Sequence, residues 1–421
     1  MRAFKNMHSD LQTSIRSIRQ VIKSCVGPEK WLSIRYTYVR ICSTYVRICL
    51  QLSNPARYKS IKQPVDIIFF SDNRSWYTVK PVLIELLCRH RALRLAFVTC
   101  ASKEDLPGDI DLSGIALFTD ITMPMLKLFD ARIFYSPFAE LAPAWKPPNA
   151  RLVHSLASLA SLDGTFVNHY FDGCDYILCG GPHHLDSFRE WASRRPALSG
   201  KWLIPAGYPK LDFTLASHSA KRCAEPSVRS TVVYAPTHVY DVNASLASLR
   251  RYGEAIVSAL LAAGHRVIFR PHPTSFVSDD RTVIDRICQL HEQNPSFYLD
   301  KNKAYAESYS SADLVVTDLS GTGFTFSFGF CRPCIFFAPN VDAERRLSGI
   351  QFETRHRIGA VVRDIDEMIE KASEFCTRDM TDEIVQFRDE TVFRVGKSSG
   401  YIVDCLEDIL SGCERPEWIR L

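Results

Sequence analysis

From Pro64 onward the chain alternates short apolar runs with stretches of helical spacing, and no other feature constrains its fold as tightly. Buried strands separated by helices pair in parallel and need helices on both faces of the sheet. The first half offers strands at 65–70, 93–98, 115–119, 132–135, 151–154, 176–179 and 201–204. Between the first two, Val79, Val82, Leu83, Leu86 and Leu87 share one face of a helix. Residues 214–229 are small, polar and basic, and read as a linker. The second half offers strands at 231–235, 266–270, 297–299, 314–317, 334–337 and 360–362, with helices at about 244–263, 279–293 and 301–311. The expected class is α/β, with two parallel sheets and a cleft between strand C-termini, where such folds bind ligands. The expected division is a basic amphipathic segment 1–62, a first domain 63–214, a second domain 228–385 and C-terminal helices 386–421.

Charge divides the chain differently. Through Lys62 there are twelve Lys or Arg against Asp10 and Glu29, a surplus of ten, while the remainder has 39 basic and 45 acidic residues, a deficit of six. Leu11, Ile15, Ile18, Ile22 and Cys25 share a helical face, and Gly27-Pro28 ends that helix. Residues 37–42 and 44–49 then repeat Thr-Tyr-Val-Arg-Ile-Cys, stacking Tyr38 with Tyr45, Ile41 with Ile48 and Arg40 with Arg47. An aromatic and aliphatic face beside a basic one suits an anionic membrane surface, contacted through residues 1–60. The alternative is a helix pair packed on the body with solvated arginines. Nucleic acid is not an expected partner, because the body is acidic and no binding motif occurs. No run of about 18 apolar residues forms a spanning helix, and the N-terminus does not read as a secretory signal. The expected location is cytoplasmic, peripheral on the inner face of the cell membrane. Fourteen scattered cysteines, with a lone Cys331-Arg-Pro-Cys334, read as small core residues in a reducing compartment. No metal and no cofactor are expected.

Four segments end strands at the cleft. In Leu314–Phe324, a strand runs into Thr317-Asp318, then Ser320, Gly321, Thr322 and Gly323, then an apolar helix. Hydroxyls and backbone N–H groups at a helix N-terminus suit a phosphate, although any α/β protein has capped turns of this kind. In Arg270-Pro-His-Pro273, two prolines stiffen a loop presenting His272 as a proton carrier or phosphate donor, with Arg270 as a phosphate ligand. Thr237 and His238 follow the strand at 231–235, while Asp241 suits a helix cap. His154 ends a strand of the first half and is expected to face His272 across the cleft. His169, Asp172 and Asp175 suit a helix end with solvated acids. His183-His184 is not expected to bind metal, because adjacent side chains point apart on regular elements. Asp109-Ile-Asp111 reads as solvated loop charge, and no Walker loop, GxGxxG or GxSxG occurs.

Taken together, Tyr234-Ala-Pro-Thr237, Arg270-Pro-His-Pro273, Ala312–Ser320, Arg332-Pro333, Gly207-Tyr-Pro-Lys-Leu-Asp212 and Gly396-Lys-Ser-Ser399 resemble the CDP-glycerol glycerophosphotransferase family of teichoic acid synthesis. The matches span about 205–405 in order. The resemblance implies a GT-B fold of two Rossmann-like domains facing a cleft. It also implies CDP-glycerol, or another nucleotide-activated donor, and a glycan or lipid-linked acceptor. The family's Arg/Lys-Pro-His-Pro histidine matches His272, and its phosphate loop matches Thr317, Asp318, Ser320 and, less well, Gly321, with Leu319 at the family's tyrosine. Its Trp-His-Gly histidine has its nearest equivalent in His154, with both flanking residues different. On this basis His154 is expected as general base and His272 as stabiliser of phosphate charge. Thr237, His238, Arg270, Thr317, Asp318, Ser320, Gly321, Thr322 and Gly323 are expected to bind the donor. The alternatives are a GT-B glycosyltransferase or nucleotide-sugar epimerase using a UDP- or CMP-sugar in capsule or lipopolysaccharide synthesis, and a non-catalytic membrane-bound scaffold.

Overall fold

The structure is a computed structural model of the full chain, and it describes residues 28–71, 76–89, 92–106, 112–138, 145–162, 170–219, 229–239, 243–302, 305–319, 321–345 and 347–421. The helix expected at 11–25, Asp109, Asp111, His169, Asp241 and Ser320 lie outside the described residues. Strands β1 (Val65–Phe70), β2 (Leu95–Val98), β3 (Ala116–Phe118), β4 (Ala131–Ser136), β5 (Arg151–Ser155), β6 (Tyr176–Cys179) and β7 (Trp202–Pro205) form one parallel sheet. Strands β8 (Thr231–Tyr234), β9 (Arg266–Phe269), β10 (Phe297–Leu299), β11 (Leu314–Thr317), β12 (Cys334–Phe337) and β13 (Gly359–Val362) form the other, also parallel. The first sheet is completed by a strand the sequence did not announce, β14 (Ile419–Arg420), which pairs antiparallel with β7 and gives the order β14-β7-β6-β5-β4-β1-β2-β3. Its two residues are too few to carry a periodic signal.

The apolar runs are strands because they are covered on both faces. Along β1, Ile68 and Phe70 enter one core while Ile67 and Phe69 enter the other. Helix α1 (Pro28–Ser53) and helix α2 (Pro55–Ile61) precede β1. Asn54 caps α2 by accepting from the Arg57 N–H at 3.0 Å. The expected amphipathic helix over 37–49 is present within α1, but its apolar residues divide. Val39 is buried and Val46 and Leu50 pack on the first core, whereas Ile41, Tyr45, Ile48 and Leu52 are exposed. No helix among the described residues is long and apolar enough to cross a membrane.

Two helices join the halves. The expected linker begins in helix rather than coil: α3 (Pro209–Ser219) runs through 214–219, and 220–228 lie outside the described residues. Buried Thr214 and Leu211 give that stretch a packing face that its small, polar composition concealed. It crosses the later helix α4 (Thr322–Phe330) so closely that a Cβ on Gly329 would come within 2.5 Å of Thr214 Cγ2. Helix α5 (Ser398–Ser411) returns to the first sheet, where Ile402, Leu406 and Ile409 enter its core.

Candidate active site

Strand order assembles the site. In the second sheet β9, β8 and β11 are neighbours, so the loops after them bring Arg270-Pro-His-Pro273, Ala235-Pro-Thr237 and Asp318 to one edge. Asp318 organises this edge. One carboxylate oxygen accepts from the Thr237 N–H and hydroxyl and from the Leu319 N–H at 2.7 Å. The other accepts from the Ser248 N–H at 2.7 Å and from its hydroxyl at 2.8 Å. Five bonds consume the carboxylate, and Thr317, fully buried, donates to the Ala235 carbonyl at 2.7 Å. The bonds of Thr237, Thr317 and Asp318 therefore brace the turn.

Arg270, His238 and His272 occupy the second side of the edge. The Arg270 guanidinium pairs with buried Asp300, whose other oxygen accepts from the Asn302 N–H at 2.8 Å. His238 is buried, with Nδ1 3.0 Å from Asp280, and its ring stacks 6.1 Å from that of His272. Burial opposes ionisation of Asp280, but bonds from Arg250, the Val239 N–H and Ser275 outweigh it and hold the carboxyl below its usual range. His272 is exposed, and its Nδ1 accepts from the Thr274 N–H at 3.2 Å, which puts the proton of the neutral ring on Nε2. That tautomer makes Nε2 a hydrogen-bond donor.

The N-terminus of α4 closes the edge, with Thr322 bonded to the Tyr309 hydroxyl. Its two glycines differ in purpose. A Cβ on Gly323 would strike Phe336 at 2.7 Å and Cys334 Sγ at 2.9 Å, so the missing side chain lets α4 lie against β12. A Cβ on Gly321 would meet only Ser158 Oγ at 3.4 Å, an ordinary contact, so a methyl group fits there beside the loop after β5.

On the first-domain side, the general-base assignment of His154 does not survive its placement. The imidazole is 0% exposed and packs edge-on against Phe171 at 5.3 Å. Burial holds its pKa down to about 3, and although the Ser136 backbone pulls it upward, neither ring nitrogen makes a hydrogen bond of good geometry. The loop beyond β5 is held by His183 and His184. Their rings do not point apart as expected but lie 4.0 Å from each other, because both reach successive carbonyls of this loop, Leu159 at 2.8 Å and Ala160 at 3.0 Å. Those bonds occupy them structurally, and among the described residues no three His, Cys, Asp or Glu could hold a metal ion. Asp172 and Asp175 are not merely solvated: each pairs at 2.8 Å, with Arg195 and Lys146.

Sequence reasoning missed Lys210, which sits inside a quoted motif but was given no task. The half-buried ammonium lies 4.8 Å over the Tyr305 ring, and no carboxylate pairs with it among the described residues. Burial, then the charge of Arg270, lower its pKa to about 8. Two cations close enough to repel, with no carboxylate paired to Lys210 among the described residues, are an arrangement that a polyanion would relieve. The available signal was the lysine in Gly207-Tyr-Pro-Lys-Leu-Asp212, but only the fold brings it to Arg270.

Comparison with known proteins identifies the frame. The wall teichoic acid polymerase TagF superposes on 90% of this chain and 97% of its own, with a TM-score of 0.61 at 15% identity. UDP-GlcNAc 2-epimerase from Methanocaldococcus jannaschii, solved with UDP-GlcNAc and UDP, matches 82% of this chain and 99% of its own, with a TM-score of 0.55 at 14% identity. At such identities the likeness carries the fold alone, which is GT-B. No curated protein matches the chain by sequence. A family model described as CDP-Glycerol:Poly(glycerophosphate) glycerophosphotransferase matches residues 167–408, a span that takes in α4, the Arg270-Pro-His-Pro273 loop and Lys210. That span is more than half of the sequence, and with it the chain belongs to the CDP-glycerol glycerophosphotransferase family of enzymes.

Proposed function

We propose that the protein transfers glycerol phosphate from CDP-glycerol to a hydroxyl of a cell-surface glycan or lipid-linked precursor, working peripherally on the inner face of the cell membrane. The observation that carries the reading is Lys210 beside Arg270: Asp300 pairs with Arg270, but among the described residues no carboxylate pairs with Lys210, which leaves positive charge for a diphosphate. Family membership supports CDP-glycerol as the source of that diphosphate, and crystals of TagF were soaked with CDPG. The acceptor hydroxyl attacks the phosphorus that bears glycerol and gives up its proton to solvent. The bond from that phosphorus to the bridging oxygen breaks, and CMP departs with the electron pair. Arg270, Lys210 and the amides of Gly321–Gly323 hold the phosphate oxygens, and the Nε2–H of His272 steadies charge growing on the bridging oxygen. Arg270 is fixed in position by Asp300, so little reorganisation accompanies that stabilisation.

Thermal unfolding with CDP-glycerol, CDP, UDP and UDP-GlcNAc tests the reading. A ligand at about 100 times its Kd adds about 2.7 kcal/mol, an easily seen shift. CDP-glycerol and CDP are expected to stabilise the protein, and UDP-GlcNAc is not. His272→Ala is expected to lower turnover by about 10²–10⁴-fold with the fold retained. A response to UDP compounds alone would replace the glycerol phosphate donor with a nucleotide sugar. Binding without turnover by the unaltered protein would favour a scaffold.

A further inference from the structure

Helix α1 and the 3-10 helix Met123–Leu128 border an open surface cavity of about 440 Å³ whose wall is cationic. Arg40 and Arg47 line it from α1, Lys62 from the end of α2 and Lys127 from the 3-10 helix, with Ser43 and Thr44 between them. No carboxylate lines the cavity, and none of the four cations forms an ion pair among the described residues. The Ser43 hydroxyl is buried without a hydrogen-bond partner. Beside this wall, on the next face of α1, Ile41, Tyr45, Ile48 and Leu52 are 64%, 55%, 48% and 81% exposed, a line of large apolar side chains one helical turn apart. The seven-residue repeat produces both features, since Arg40 and Arg47 recur on one face and Ile41 and Ile48 on the next.

Resting on the membrane reading above, we propose that this cavity is a headgroup site for an anionic phospholipid, with Ile41, Tyr45, Ile48 and Leu52 immersed among the acyl chains around it. Charge and polarity select this occupant. A soluble anion such as inorganic phosphate or the glycerol phosphate polymer would satisfy the cations but leave the apolar line in water. A second copy of the chain would cover that line but set two basic walls against each other. Residues 1–27 carry Arg2, Lys5, Arg16, Arg19 and Lys23 against Asp10 alone, so they too would repel the wall. A phosphate diester carrying acyl chains answers both surfaces at once. Lys127 already feels the charge of Lys146, which with burial lowers its pKa, and a bound phosphate relieves that repulsion.

Co-sedimentation of the full chain with vesicles of phosphatidylcholine, and of phosphatidylcholine with about a third phosphatidylglycerol, tests the site. The variants are Lys62→Gln with Lys127→Gln and, for the same charge change outside the cavity, Arg16→Gln with Arg19→Gln. The unaltered protein is expected to bind only the anionic vesicles. Each neutralised headgroup contact weakens partitioning about five-fold, so the first pair loses about 25-fold while its stabilisation by CDP-glycerol is unchanged. The control pair loses distinctly less. Equal losses from both pairs would overturn the cavity in favour of diffuse attraction, with membrane association intact. Failure of the unaltered protein to bind either vesicle would overturn the membrane reading together with the site.

Discussion

A carboxylate with five donors, a lysine that no carboxylate pairs with among the described residues, and a histidine buried against Phe171 show what single residues contribute. Asp318, Lys210 and His154 were all readable as polar residues at strand ends, but their roles depend on partners that the sequence does not display. Thr237 lies 81 positions from Asp318, and Ser248 lies 70. His154 occupies a strand, where neighbouring residues face opposite sides, and only tertiary packing shows that its side meets Phe171. Its pKa, near 3 against about 6.5 unfolded, makes a signed prediction. The unfolded chain takes up the proton first, so stability falls as pH drops below about 6.5 and continues to fall towards 3. At pH 5 this group alone costs about 2 kcal/mol. Denaturant titrations of His154→Leu between pH 7 and 5 are expected to show a shallower loss than the unaltered protein; parallel curves would mean the imidazole is solvated. Lys210 predicts the opposite slope in binding. A diphosphate favours the charged amine, so CDP-glycerol affinity is expected to fall as pH rises through about 8, and Lys210→Gln is expected to bind more weakly with that pH dependence flattened. An unchanged pH profile in the variant would remove Lys210 from the donor site.

Elements were far more legible than contacts. Strands β1, β6, β11 and β12 coincide with the apolar runs in the sequence, because a strand buried on both faces is an uninterrupted apolar run. Helix α3 was hidden because a small, polar composition resembles coil until Gly329 and Thr214 are seen to interlock. The glycines of the phosphate turn carried a single reading in sequence and two in structure. Gly323→Ala is expected to lower stability by about 1–3 kcal/mol, since its methyl group would overlap Phe336 and Cys334. Gly321→Ala is expected to leave stability within about 0.5 kcal/mol, because its methyl group would make only an ordinary contact with Ser158. Thermal unfolding of the two variants checks the contrast, and equal losses would contradict the packing role assigned to Gly323.

At the scale of the whole molecule, two motifs that the sequence offered as separate signatures are one clamp. Gly396 and Ser399 donate their N–H groups to Asp212 at 2.8 and 2.9 Å, and the Ser398 hydroxyl reaches it at 3.2 Å, fastening the start of α5 to α3. Burial nevertheless raises the pKa of Asp212 against those bonds, and removing the carboxylate leaves the part-buried Ser399 N–H without its acceptor. Asp212→Ala is expected to destabilise the protein by about 1–3 kcal/mol. Lys210 lies two positions from this clamp, so loosening the clamp is expected to disturb the proposed donor site as well. The central claim is that this site spends a CDP-glycerol diphosphate, and release of CMP measures that most directly. With CDP-glycerol and a lipid-linked or glycan acceptor, purified protein is expected to release CMP as glycerol phosphate is incorporated, and Lys210→Gln and His272→Ala are expected to release far less. CMP release undiminished in both variants, or none from the unaltered protein while a nucleotide sugar is consumed, would contradict the account.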